Sequence, residues 1–447
     1  MPAKPFPDGF LWGIATAAYQ IEGYPLADGA CPSIWHEFSH RRRKISGNDN
    51  GDLACDHYHR YAEDIRILRE LGVKAYRFSI AWPRVFPEPH RLNPKGLDFY
   101  KRILDLLLEA GIEPFVTIFH WDEPLWLERQ GGFSRRDAVD HFAEYGQALF
   151  RELGNRVKKW ISLNEPLGFA AQGYVLGNYA PGKRWDLHAM ICSFHHLLLG
   201  HSRLAEALHG MGTGGTIGIA EAQILTRPAD PDRTKDRQAA RMMDALLNRF
   251  AFEGLFHGRY PQELVDRLHR FFPKGYEEDL PRIKGSLDFV GINYYERESY
   301  RHSALMPYVH AKQVPTLGAR RSAMWEIYPE GIRYFLRRLK EEYGNLPCYV
   351  TENGFPLPEA PGQDPLADDE RIEYLKEHIA MVGQAVAEKV DCRGYFLWSL
   401  FDNFEWDLGY RMRFGIVRVD FKSLVRQWKK SAFWYQALIR TNGQAPD

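Results

Sequence analysis

Short apolar runs alternate with longer stretches of helical period along most of this chain. Eight runs have strand character: residues 10–15, 75–80, 113–119, 157–163, 216–220, 289–294, 348–351 and 394–397. Several are apolar on both faces, as parallel strands covered by helices are. Between them apolar residues recur at helical spacing. Tyr61, Ile65, Leu68 and Leu71 form one stripe, Val139, Phe142, Leu149 and Leu153 a second, and Ile332, Phe335, Leu336 and Leu339 a third. Ser134 and Asp137, spaced like a capping box, predict the start of the second of these helices. Eight strand–helix repeats predict an α/β fold, a closed (β/α)8 TIM barrel. No Ser/Gly/Pro-rich linker interrupts the pattern, so residues 1–447 read as a single barrel domain. Long polar insertions at 29–52 and 296–316 are expected to be loops that decorate the barrel mouth, and 356–369 a surface loop.

Charge narrows the function. Lys+Arg and Asp+Glu are both 58, so the net charge is zero. That gives no electrostatic case for nucleic acid or an anionic membrane as a partner. The one basic run, Arg41-Arg42-Arg43-Lys44, lies among Ser, His, Gly and Asn and reads as a solvated loop. Aromatic residues make up 14% of the chain, enough to line a carbohydrate site and equally suited to a large barrel core. The cysteines, Cys31, Cys55, Cys192, Cys348 and Cys392, are odd in number and lack Cys-x-x-Cys spacing, against a disulfide framework or a zinc knuckle. Cys348 and Cys392 fall in apolar segments and are expected as buried thiols. Residues 1–5 show no apolar signal region, and no run of about 18 apolar residues occurs. The expectation is a soluble, cytoplasmic protein.

Two stretches carry the chemistry: Ser162-Leu163-Asn164-Glu165-Pro166 and Tyr349-Val350-Thr351-Glu352-Asn353-Gly354. Each is an apolar strand ending in a carboxylate beside an amide. Barrel enzymes place their chemistry at strand C-termini. Two glutamates there suit glycoside hydrolysis, in which one carboxyl protonates the leaving oxygen and the other attacks the sugar or activates water. If the mechanism is retaining, the two lie about 5–5.5 Å apart and must differ in protonation. Glu352 is then expected to be the ionised nucleophile, and Glu165 the acid, its proton held partly by repulsion from Glu352.

The flanking residues strengthen this reading. Leu163-Asn164-Glu165-Pro166 and Thr351-Glu352-Asn353-Gly354 resemble the paired signatures of glycoside hydrolase family 1, the retaining β-glycosidases. The resemblance continues at Phe10-Leu11-Trp12-Gly13, Tyr19-Gln20-Ile21-Glu22-Gly23, Asp56-His57-Tyr58-His59-Arg60-Tyr61, Tyr76-Arg77-Phe78-Ser79, His120-Trp121-Asp122, Trp398-Ser399 and Asp402-Asn403-Phe404-Glu405-Trp406, in the family's order. It implies a β-glucosidase acting on unphosphorylated β-glucosides or short oligosaccharides from the non-reducing end. It also implies roles for neighbours. Arg77, Asn293 and Tyr295 would surround the nucleophile, and Asn164 would meet the sugar 2-OH. Gln20, His120 and Glu405 would hold the other hydroxyls, with Trp398 as stacking platform and Trp121 and Trp406 beside them. Trp325 would wall the leaving-group subsite. Members that take 6-phosphorylated sugars lack a carboxylate at the Glu405 position, and a charged glutamate would repel a phosphate dianion. No cofactor and no catalytic metal are implied.

The chain departs from the family pattern near the entrance. Leu167-Gly168 follows Glu165-Pro166 where many members carry bulkier residues, and Tyr179 stands where His is common. Both bear on aglycone preference. Other readings of the same residues are a transglycosylating enzyme, a sugar-binding barrel without catalysis, and a metal hydrolase. The last would use the His-x-His spacing of His57 and His59, which precedes a helical stripe and not a strand end.

Overall fold

In the computed structural model, residues 6–359 and 362–444 are described; the expectation for the N-terminal segment 1–5 lies outside them. Eight strands close a parallel barrel: β1 Leu11–Ala15, β2 Ala75–Ser79, β3 Glu113–Phe119, β4 Lys159–Asn164, β5 Thr216–Pro228, β6 Phe289–His302, β7 Cys348–Asn353 and β8 Cys392–Trp398. Each pairs with its sequence neighbour, and β1 closes the ring on β8 in the register Leu11↔Gly394 to Ala15↔Trp398. Helices cover the outside. The three stripes lie on helices His57–Leu71, Ala138–Leu153 and Glu330–Tyr343, and all of their residues are buried except the half-buried Tyr61.

The barrel lumen is filled from below by aromatic rings. Phe115 lies 4.7 Å from Phe396 and 5.1 Å from Tyr349, and Phe289 lies 5.4 Å from Tyr349, ring centre to ring centre. Such a floor leaves the C-terminal end of the strands as the open face. Inward positions alternate along each strand. On β6 they run Phe289, Gly291, Asn293, Tyr295, from apolar floor to polar mouth. Gly291 is required there. A Cβ at this position would lie 2.7 Å from Thr351 Oγ1 and 2.9 Å from the Ile219 carbonyl.

Three expectations are corrected. The insertion expected at 296–316 is largely strand. β5 and β6 run on past the barrel in register from Leu225↔Arg297 to Pro228↔Tyr300, and Ser299–His302 then pairs antiparallel with Ala311–Val314. Along this run Glu296 and Glu298 are half-buried and Tyr300 is buried, so the extension is covered although its residues are polar. Ser134 caps no helix. Its hydroxyl donates to the Gly131 carbonyl, and the helix begins at Ala138 after Asp137, whose side chain makes no cap bond. Segment 356–369 includes a short strand, Leu357–Pro358, paired with Met412–Arg413; residues 360 and 361 lie outside the described set.

Insertion 29–52 contains helix Ile34–Ser39, capped by Ser33, whose hydroxyl accepts from the His36 amide. Its Trp35 is fully buried. Arg41, Arg42 and Arg43 are exposed. Cys348 and Cys392 are buried and face each other in register on β7 and β8; all five cysteines are free thiols. Among the described residues no helix is long and apolar enough to cross a membrane.

Candidate active site

The two glutamates sit just beyond irregularities in their strands. Between Ile161 and Asn164 the register of β4 against β5 slips, and between Ile292 and Asn293 that of β6 against β7 slips. Counting along both ladders puts the extra residue in β4 before Asn164 and in β7 before Glu352. A bulge adds one residue, bends the strand and re-aims the side chain that follows. Asn164 and Glu165 can therefore both serve the mouth despite strand alternation. Glu165 completes the turn in the left-handed region, at φ 44°, as it passes into helix Pro166–Ala170. That region is costly for a residue with a Cβ and clusters at functional positions.

Arg77 is fully buried and holds the centre of the site. One amino group donates to Glu352 and to the Thr351 carbonyl, the other to Asn164 Oδ1. Tyr295 donates to the other Glu352 oxygen at 2.8 Å. Asn293 donates to Glu165 Oε1 at 2.8 Å and to Asn164 Oδ1 at 3.1 Å, and it accepts from Thr351 Oγ1 at 2.7 Å. Asn164 donates to His120 Nε2 at 3.1 Å, and the Trp121 indole donates to the Asn164 carbonyl at 2.9 Å. Each amide is thereby fixed in one orientation.

Glu165 is pushed up to about 8, first by burial and then by Glu352, against the Asn293 bond and the Arg77 charge. Expected repulsion from Glu352 is present but ranks second. The acid is neutral at pH 7. Its Oε1 accepts from Asn293, so the proton sits on Oε2. His120 is held well below the ordinary imidazole range by burial and by Arg77, so it too is neutral. Its Nε2 accepts from Asn164; its Nδ1–H therefore has no partner.

Glu405 requires a revision. Burial, Glu352 and Asp407 push it up to about 8, so it carries a proton at pH 7 and not the expected charge. Gln20, fully buried behind the cavity wall, donates to Glu405 Oε2 at 3.4 Å, to Asn403 Oδ1 at 3.1 Å and to the Phe404 carbonyl at 3.0 Å. Its own carbonyl oxygen has no partner.

A cavity of about 360 Å³ is lined by Glu165 and Glu352 together with Asn164, Asn293, Tyr295, His120, Trp121, Trp325, Trp398, Glu405 and Trp406. Of the residues named from sequence, only Arg77 and Gln20 stand behind its wall. Aromatic walls flank it: Trp121 lies 5.0 Å from Trp406, and Tyr295 lies 5.1 Å from Trp325. Tyr179 and Gly168 also line it. Tyr179 packs 5.4 Å from Trp121, and a Cβ on Gly168 would meet Glu165 Oε2 at an ordinary 3.6 Å. Sequence reasoning missed Glu296, Met324, Gln172, Gln223 and Phe414 in the lining. Glu296 follows Tyr295 on the run of β6 past the barrel, which carries no motif. Gln223 lies on the outer part of β5 and Gln172 in the helical segment Ala171–Leu176, while Met324 and Phe414 lie in irregular segments. His57 and His59 are turned to Asp64 and Asp56, at 2.8 and 2.7 Å.

Two carboxyls in different protonation environments, in an aromatic cavity at the mouth of a (β/α)8 barrel, define a barrel glycosidase. Comparison with known proteins places the chain within that class. The model of glycosyl hydrolase family 1 matches residues 2–444. Beta-glucosidase A of Thermotoga maritima is 45% identical over 99% of both chains. The 1,4-beta-D-glucan glucohydrolase of Thermotoga neapolitana is 44% identical over 98% of this chain and 99% of its own. The solved family 1 b-glucosidase of Thermotoga maritima superposes with a TM-score of 0.96 over 99% of this chain and 100% of its own, at 45% identity. So does that organism's family 1 glycoside hydrolase complexed with a cyclophellitol analogue transition state mimic, also at 0.96. The chain belongs to glycosyl hydrolase family 1 and is an O-glycosyl hydrolase.

Proposed function

We infer that this protein is a retaining β-glucosidase that removes unphosphorylated β-D-glucosyl units from the non-reducing end of small β-glycosides. The observation that carries the residue roles is the split environment of its two glutamates. Glu165 is a buried neutral acid at neutral pH, while Glu352 accepts from Arg77 and Tyr295. Glu352 attacks the anomeric carbon as Glu165 gives its Oε2 proton to the leaving oxygen. A covalent glucosyl-enzyme forms, and the charge on Glu352 is consumed. Glu165, now a carboxylate, takes a proton from water, which attacks and releases the sugar with its configuration retained.

The hydroxyls are met by groups with unused capacity. The Asn164 amide has one hydrogen left for the 2-OH. His120 Nδ1–H is unpartnered, and protonated Glu405, held from behind by Gln20, can donate to one hydroxyl and accept from another. Trp398 offers an apolar face to the ring, and Trp325 walls the leaving-group side. Beyond Glu296 and Met324 the cavity adjoins a second cleft, of about 280 Å³, lined also by Glu298, Gln313 and Arg321. That space favours short β-glucan chains, and so a place in cellulose breakdown, over monosaccharide aglycones alone. Five free thiols without a disulfide favour a reducing, cytoplasmic setting.

The test is a panel of nitrophenyl β-glycosides and cellobiose, with the product anomer read by NMR during the first turnovers. The reading requires glucoside among the preferred glycones and β-glucose as first product. First release of α-glucose would refute the retaining mechanism.

A further inference from the structure

Outside the active site, His36, His40 and Asp52 bring one nitrogen each and a carboxylate together, with ligand atoms within 4.8 Å of one another. His36 and His40 are four residues apart, one helical turn, so their rings share a face and lie 4.5 Å apart. His40 Nδ1 is 2.7 Å from the His36 carbonyl. A carbonyl oxygen only accepts, so Nδ1 carries the hydrogen and Nε2 is left with its lone pair. That Nε2 lies 3.0 Å from Asp52 Oδ2, itself a lone-pair atom. Two lone pairs at this distance repel unless a cation, a second proton or a metal ion, lies between them. His36 Nδ1 faces the other Asp52 oxygen at 3.5 Å and is buried without a hydrogen-bond partner.

We propose that His36, His40 and Asp52 form a zinc site that braces the 29–52 segment against the active-site wall. Tetrahedral zinc with bonds of about 2.0–2.1 Å holds its ligand atoms about 3.3 Å apart, and the nitrogen–oxygen distances bracket that value. Two imidazoles and one carboxylate suit zinc better than the harder magnesium or calcium, which take all-oxygen shells. The His40 Nδ1–H bond to a backbone carbonyl is the outer support that ligating histidines use to fix their ring. Asp52 is set from behind: its amide donates to Asn50 Oδ1 at 3.1 Å, and its carbonyl accepts from the Tyr24 amide at 2.7 Å. His40 and Asp52 are about half exposed, so an ion enters from solvent and keeps water as fourth ligand. The adjoining residue, Trp35, lies 4.4 Å from Trp406, which lines the sugar cavity. Through that contact the metal couples to the mouth.

A second group of the same residue types, His90, His141 and Glu144, lacks the opposed lone pairs. There His90 Nδ1 can simply donate to Glu144 Oε2 at 2.6 Å. It serves as the internal comparison.

The experiment titrates Zn²⁺ into chelator-treated full-length protein by calorimetry, with Co²⁺ absorption as a report of tetrahedral geometry. One equivalent should bind, and at a hundredfold excess over Kd the melting temperature should rise by about 3 °C. His36→Gln with His40→Gln, or Asp52→Asn alone, should weaken binding at least tenfold, while metal-free melting and basal activity stay those of the parent. His141→Ala should bind as the parent does. Binding that survives the His36→Gln/His40→Gln change, binding lost in His141→Ala, or no saturable binding below about 1 mM would each overturn the site.

Discussion

Asn293 and Tyr295 stand two residues apart on one face of β6, and each holds a different glutamate: Asn293 donates to Glu165 and Tyr295 to Glu352, both at 2.8 Å. One strand thus sets the relative position of acid and nucleophile. It also tunes the acid, because the Asn293 bond opposes the burial that raises Glu165. Asn293→Ala removes that opposition. The alkaline limb of the kcat/KM profile should move upward, and kcat should fall by about tenfold to a hundredfold as the acid loses its orientation. A profile that keeps its alkaline limb while activity drops would leave Asn293 as a packing residue only.

Glu352→Ala should abolish turnover, with loss of at least about four orders of magnitude in kcat, and leave the fold intact. Azide fits the space vacated by the carboxylate and should restore part of the activity with an α-glucosyl azide as product. Isolation of the β-azide, or substantial activity without azide, would contradict the nucleophile's assignment.

Glu165 gives predictions for rate and for stability. Glu165→Ala should slow glucosides with poor leaving groups far more than dinitrophenyl glucoside, whose departure needs little protonation. For stability, the folded state raises this carboxyl, so it favours the neutral form. Its contribution is present below the ordinary value of 4.5 and is lost as pH rises through about 8, where a charge must be carried in a buried site. Glu165→Gln never bears that charge. Relative to the parent, the variant should gain stability between pH 5 and 9, on the order of 3 kcal/mol or somewhat more. Urea titrations at both ends of this range measure it; a constant difference across pH would mean that Glu165 is not the strained group.

Much of the barrel was legible because its strands are short, two-face apolar and separated by amphipathic helices. Both glutamates were legible because strand ends are where a barrel exposes polar side chains. Pairing details were not. The slip before Asn164 depends on how β4 meets β5, and no local pattern records it. The run of β6 past Tyr294 was hidden because successive charged residues, Glu296, Arg297 and Glu298, make a half-buried strand look like a loop. Arg77 and Gln20 carry a further lesson. They touch the site's carboxyls from behind, and only three-dimensional packing separates a residue in the wall from one that supports it. The protonation of Glu405 was beyond sequence altogether, since it follows from summed burial and three neighbouring carboxyls.

Glu405 is the sharpest test of substrate class, because it is held protonated up to about 8. Were it charged at pH 7, it would repel a 6-phosphate through Coulomb force alone. Held protonated up to about 8, it rejects the phosphate mainly because, among the described residues, no lysine lines the cavity to neutralise a dianion in a dry pocket. Glu405→Ser should therefore lower kcat/KM for nitrophenyl glucoside by about a hundredfold or more, since the hydroxyl contacts strengthen at the transition state. The loss should be smaller for the fucoside, which has no 6-OH to forgo. Acceptance of 6-phosphoglucoside should improve little at pH 6, and more at pH 9, where the parent's Glu405 is ionised and its removal relieves a real charge. Measuring all three substrates at both pH values decides between charge and missing cation. A parent enzyme that preferred the phosphorylated glucoside would show that the pocket reads a different sugar.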